Sequence, residues 1–151
     1  MEHWNKYKYF RPFDTSDNWG DPQKMNPDLL VRLDSLRKFI GHALHVTSAY
    51  RQMDKKQHGL GNAVDIICPA FEDPSDLFDL YLCAERFNFT GIGIYVHWAW
   101  QGKTVGGLHV DVREIEDGFP KGSRWLSYRT PGGTQEYTSL NCETIRSFGL
   151  V

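Results

Sequence analysis

Apolar residues along this chain change their period several times, and each change marks an element. Asn26-Pro27-Asp28 opens the first: Asn26 can cap, Pro27 suits the first helical position, and Asp28 complements the positive helix end. Leu29, Leu30, Leu33, Leu36 and Ile40 then recur at helical spacing, and Gly41 offers a left-handed stop. Two strands are predicted next, at 43–50 (ALHVTSAY) and 62–68 (NAVDIIC), both rich in β-branched residues, with Pro69 ending the second. Ser75 is the expected cap of a second amphipathic helix, on which Leu77, Leu80, Tyr81, Ala84 and Phe87 recur at three and four. Segments 91–100 (GIGIYVHWAW) and 107–114 (GLHVDVRE) read as strands that pair antiparallel through the hairpin loop QGKTVG.

The ends are less regular. Residues 1 to about 24 show no period and read as an arm that packs Tyr9, Phe10 and Phe13 onto the body. Beyond Arg113 the chain turns through Gly118, Pro120 and Gly122 into SRWLSY, and residues from about 127 to 151 read as an edge strand plus a loose tail. There is no internal repeat, low-complexity tract or composition shift, so 1–151 is expected to be one domain. Helix, two strands, helix and then further strands favour an α+β layer architecture over an alternating parallel one.

Composition narrows the classes. A 40% hydrophobic and 14% aromatic share is that of a globular chain, and no apolar run approaches the roughly 20 residues that span a bilayer. A formal charge of -2, with no Lys/Arg-rich run, argues against nucleic acid as partner. Cys68, Cys83 and Cys142 are odd in number and widely spaced, which fits small buried hydrophobes better than a disulfide framework or a Cys-rich metal site. MEHWNKYKYF has no basic segment followed by an apolar one; the expectation is cytoplasmic synthesis, with release to the cell wall by a phage-mediated or other route.

The chemistry lies in HGLGNAVD and LHVDV. Catalytic zinc sites combine three protein ligands with an open position, and His58, Asp65 and His109 supply that count. Alternation along strands puts Ala63, Asp65 and Ile67 on one face and His109, Asp111 and Arg113 on one face, so one zinc ion would sit over the sheet between them. Gly59 and Gly61 allow the tight turn that brings His58 back beside Asp65. Each residue taken singly is more often a surface or hydrogen-bonded core residue than a ligand. Together, a carboxylate within AVDII and an imidazole within LHVDV are costly to bury without a cation.

TSAYR (47–51), QHGLGNAVDI (57–66), GIGIY (91–95), HVDVR (109–113) and RW (124–125) resemble, in order, the motifs of the zinc D-alanyl-D-alanine carboxypeptidase family, which shares its fold with the hedgehog signalling domain. The likeness runs from about Tyr9 to Trp125. It implies a small antiparallel sheet with helices packed on one side, zinc held at His58, Asp65 and His109, and a hydrolase cutting a peptidoglycan stem or cross-link peptide, as a carboxypeptidase or an endopeptidase of the kind a phage lysin carries. It also implies a substrate-binding role for Arg51.

The departures bear on catalysis. Lys56 stands where the family usually has Ser, the loop before His58 is short, and KTVGG (103–107) lacks the acid or base that several relatives place before the last ligand. Asp111, two residues after His109, is one catalytic candidate, with orientation of a ligand as its alternative role. His97 is the other, if a hairpin closing near Gly102 sets it opposite His109; packing among Trp98 and Trp100 is its alternative. Ser48 and Tyr50 are candidates for hydrogen bonds to a peptide backbone. The competing functional reading is a zinc-stabilised binding or structural module that does not catalyse.

Overall fold

The computed structural model describes residues 2–115 and 122–151; Gly118 and Pro120, expected in a turn, lie outside them. The elements in chain order are α1 (Pro27–Ile40), β1 (His45–Ser48), β2 (Ala63–Ile67), α2 (Pro74–Glu85), β3 (Gly91–Tyr95), β4 (Ala99–Trp100), β5 (Lys103–Thr104), β6 (Gly107–Asp111), β7 (Ser123–Arg129), β8 (Gln135–Ser139) and α3 (Cys142–Ser147). Six strands form one sheet in the order β1-β2-β6-β3-β7-β8, and β4 with β5 forms a small separate hairpin. The class is α+β as expected, but the sheet is mixed: β7 runs parallel to β3, while every other neighbouring pair is antiparallel. Only a long connection can return a strand parallel to its neighbour, and β6 and the segment after it provide one.

α1 begins and ends as its sequence dictates. The Asn26 side chain accepts from the Asp28 N–H, and Gly41 closes the helix in the left-handed conformation, φ 73°. α2 starts two residues earlier than the Ser75 expectation, because Asp73 is its cap and the Asp76 carboxylate turns back to accept from the Asp73 and Glu72 N–H groups. Leu29, Leu30, Leu33 and Leu36 of α1 and Leu77, Leu80 and Ala84 of α2 are buried against Val46, Val64, Ile66, Ile92, Ile94, Leu108, Val110 and Leu126. These are the alternate residues of five strands, so one sheet face is apolar and lies under the helices. The other face carries the polar residues described below.

The two ends of the chain belong to the same core. Trp4, Tyr7, Phe10 and Trp19 are buried in the arm, with Trp4 packed edge-on to Trp19, while Phe13 is exposed rather than packed. Tyr9 is half-buried against the core, and its N–H donates to Asp34. The tail is not loose. β7 and β8 form a hairpin, Asn141 caps α3, Ile145 and Phe148 pack on the core, and Leu150 is fully buried. Of the cysteines only Cys68 is buried; Cys83 is half-buried, Cys142 is exposed, and all three are free thiols. No helix among the described residues is long and apolar enough to cross a membrane.

A buried leucine is worth far more than its exposed neighbour, so Leu150→Ala should cost about 2–4 kcal/mol in urea unfolding, whereas Val151→Ala, at an exposed terminal residue, should leave the midpoint unchanged.

Candidate metal centre

Asp65 and His109 lie directly opposite each other where β2 pairs antiparallel with β6, and the same register sets Gly93 of β3 opposite His109 on its other side. His58 comes from the loop before β2. That loop is knotted: Gly61 N–H bonds to His58 O, Arg51 N–H also bonds to His58 O, and Gly61 has φ 72°. A Cβ on Gly59 would overlap the Asp54 carbonyl, and one on Gly61 the Lys24 carbonyl, so both positions need glycine.

Three ligand atoms converge. His58 Nε2 is 3.2 Å from His109 Nδ1, His109 Nδ1 is 2.9 Å from Asp65 Oδ1, and His58 Nε2 is 3.3 Å from Asp65 Oδ1. The edge of a tetrahedron around zinc with bonds of about 2.1 Å is roughly 3.4 Å, so the triangle has the size of one ligand face. All three residues are buried and can hold a metal ion.

The outer partners explain which atoms point inward. His58 Nδ1 lies 2.7 Å from the Ala49 carbonyl and so carries its proton there, leaving Nε2 as a lone pair. His109 Nε2 lies 2.9 Å from Asp111 Oδ2 and donates to it, leaving Nδ1 as a lone pair. Two lone pairs and a carboxylate oxygen therefore meet with no donor among them. A cation resolves that conflict, and the donor set fits one. Without a cation a proton on His109 Nδ1 does so: burial works against its charge, but Asp111 and Asp65 outweigh burial and raise its pKa. Burial likewise pushes the Asp65 carboxyl up, yet the facing His109 and His58 rings more than reverse this and hold it at about 2.

Asp111 does not face the open side. It is fully buried behind the His109 ring, where Arg113 grips both its oxygens, and although burial favours its neutral form, His109 and Arg113 hold its carboxyl well below the usual range. A carboxylate so placed orients His109; it does not line the cleft and is not poised to exchange a proton at neutral pH. His97 is not opposite His109 either. The chain leaves the sheet after Tyr95, the Val105 and Gly106 N–H groups both bond to the Trp98 carbonyl, and a two-residue turn at Gln101 and Gly102, both at positive φ, closes β4 onto β5. His97 sits in the bend before that hairpin, outside the cleft lining, and its pKa is lowered by burial.

The three ligands lie in a cleft of about 850 Å³. Arg51 lines it at the rim, half-exposed and 3.1 Å from Asp54. Ser48 and Tyr50 do not line it: a bulge between Val46 and Ser48 breaks the alternation of β1, and Tyr50 packs on the core with its N–H bonded to Trp19 O. Thr47, within that bulge, lines the cleft instead, and its hydroxyl donates to the Asp65 carbonyl.

The far wall was not legible in the sequence. Tyr95 stacks on Trp98 with ring centroids 4.2 Å apart, Trp125 Nε1–H donates to the Tyr95 hydroxyl at 3.3 Å, and Arg113 lies over the Trp125 ring. Glycines on the same sheet face make room for these groups. A Cβ on Gly93 would overlap the Trp125 indole, one on Gly91 the Asp111 carboxylate, and one on Gly107 the Trp98 ring and the Ile66 carbonyl. The one signal that could have shown this is the run of period-two glycines, at 91 and 93, within an otherwise apolar strand.

The chain matches no protein-family model, no curated protein and no solved structure.

Two measurements probe the site. Asp111→Asn, which leaves the His109 ring poorly oriented, should weaken metal affinity by about 10- to 100-fold in competition with a chromogenic chelator. In the metal-free protein, Asp65 has a folded pKa of about 2 against an ordinary 3.8, so its stabilisation is present above pH about 4 and is lost as pH falls towards 2. Urea unfolding over that range should show this loss, and Asp65→Asn should flatten it.

Proposed function

We propose that this protein is a zinc-dependent peptidase acting on peptides of bacterial peptidoglycan. The observation that carries the reading is the triangle of His58 Nε2, Asp65 Oδ1 and His109 Nδ1, whose outer partners take the other ring N–H groups so that these atoms face one another, and which opens on a cleft of about 850 Å³. Two imidazoles and one carboxylate oxygen in a compact triangle suit zinc among the common divalent ions. The resemblance to the zinc D-alanyl-D-alanine carboxypeptidase family supports the reaction, and with it the hedgehog-type fold: residues from TSAYR, QHGLGNAVDI, GIGIY, HVDVR and RW meet around one cleft although they are dispersed along the chain.

Zinc at this position would act as a Lewis acid on a peptide carbonyl and make a nucleophile available at neutral pH. The chain does the rest. His58 and His109 are held in one tautomer by Ala49 O and Asp111, Arg51 at the rim would meet a substrate carboxylate only in exchange for Asp54, and Tyr95, Trp98 and Trp125 form the wall on one side.

One observation favours a second reading, a zinc-stabilised binding module. Among the described cleft residues the carboxylates are Asp65, a ligand, and Asp54, paired with Arg51, and the Tyr95 phenol is pushed up to about 12 chiefly by burial, so no group there is poised as a base near neutral pH.

Protein purified without added metal should contain about one zinc per chain, and Asp65→Ala should lose it. Cell-wall muropeptides incubated with the wild-type chain should yield new products, stopped by a chelator and restored by zinc. Substoichiometric zinc indifferent to Asp65→Ala would overturn both readings; stoichiometric zinc without products would leave the binding module.

A further inference from the structure

Five charged side chains other than the histidines line the cleft: Arg51, Asp54, Lys56, Asp65 and Arg113. Four of them are already answered. Arg51 pairs with Asp54, Arg113 with Asp111 behind the wall, and Asp65 faces the imidazoles and the ion they would hold. Lys56 has no ion pair and no side-chain hydrogen bond among the described residues, yet it stands two positions before His58.

The loop fixes where that ammonium starts from. Lys56 N–H donates to Asp54 Oδ1 at 2.6 Å, Leu60 N–H bonds to Lys56 O, and Asn62 N–H bonds to Gln57 O, so the backbone at 56 is tied on both sides. Its neighbour Lys55 carries the same charge on the same loop but does not line the cleft. A chain of net charge -2 therefore presents, beside its metal ligands, a cleft with one uncompensated positive charge. An ion held by two neutral imidazoles and one carboxylate would add to that charge. Such a field concentrates anions and repels cations.

We infer that the cleft selects acidic peptides, and that Lys56 is the specificity-determining residue, binding a substrate carboxylate that is not part of the scissile bond. This rests on the peptidase reading for the identity of the ligand as a peptide, but not for the carboxylate subsite itself. Lys56 acts on affinity, and the reacting groups are unaffected by it.

The test uses the full chain and three synthetic peptides: L-Ala-γ-D-Glu-L-Lys-D-Ala-D-Ala, the same peptide with the glutamyl α-carboxylate amidated, and the same peptide with its C-terminus amidated. Binding to the metal-free chain, where no cleavage intervenes, is read from the change in total tryptophan fluorescence, with Trp98 and Trp125 the two of five tryptophans that line the cleft, and KM and kcat are read on the zinc-loaded chain. At least one amidation should weaken binding roughly fivefold, the scale of a single exposed ion pair, with kcat little changed and the difference shrinking as salt is raised. Lys56→Gln should abolish the preference, while Lys56→Arg and Lys55→Gln keep it. Equal binding of all three peptides by the wild-type chain, or an unchanged preference in Lys56→Gln, would overturn the inference. Cleavage without acid preference fails this inference and leaves the peptidase reading standing; acid-selective binding without cleavage does the reverse.

Discussion

The antiparallel register between β2 and β6 is the constraint on which the rest depends. It sets Asp65 against His109 on one sheet face, and in both strands the flanking residues Val64, Ile66, Leu108 and Val110 are buried on the other. A slip of one residue would send the carboxylate and the imidazole into the apolar layer under α1 and α2, where neither has a partner. The core and the polar cluster thus enforce the same alignment. The hydrophobic face makes the register stable, and the register makes the cluster.

From that pair a chain of dependence runs outward. His109 is turned by Asp111, Asp111 is clamped by Arg113, and Arg113 lies over Trp125, whose indole rests above Gly93 and bonds to Tyr95. The first two steps run along β6 and the residues just past its end, and the next reaches over β3 to β7. On the opposite face Arg124 binds Glu85 and the carbonyls of Phe89 and Thr90, tying β7 to the end of α2. The wall of the cleft is therefore anchored from both sides of the same strand. The same arrangement that fixes the ligands gives Asp111 a purely orienting place, so the donors are well prepared for a cation while no neighbouring carboxylate is left to carry protons.

Much of this was legible in the order of residues. The start and stop of α1 follow from Asn26, Pro27 and Gly41, whose preferences are local and need no tertiary partner. The grouping of His58, Asp65 and His109 was legible because a charged residue inside an apolar strand demands a nearby partner. Local chemistry misled where competing local signals existed: Asp73 and Asp76 outdo Ser75 as the start of α2, and GIGIYVHWAW looks continuous although the Trp98 carbonyl gathers two N–H groups and bends the chain away. The tail read as loose because its apolar residues are sparse, yet Leu150 is fully buried and Ile145 and Phe148 pack beside it.

The sequence by itself determined the alternation that separates an apolar face from a polar one, the helix ends, and the identity of three metal-competent side chains, since period, capping and the cost of burying charge act over a few residues. Tertiary structure alone decided that β7 runs parallel beside β3, that Gly93 rather than His97 stands opposite His109, that Asp111 lies behind the imidazole, and that Thr47 rather than Ser48 reaches the cleft. These outcomes depend on which strands become neighbours and on the phase of each bend, and such pairings are chosen by the packing of the whole sheet rather than by any segment within it.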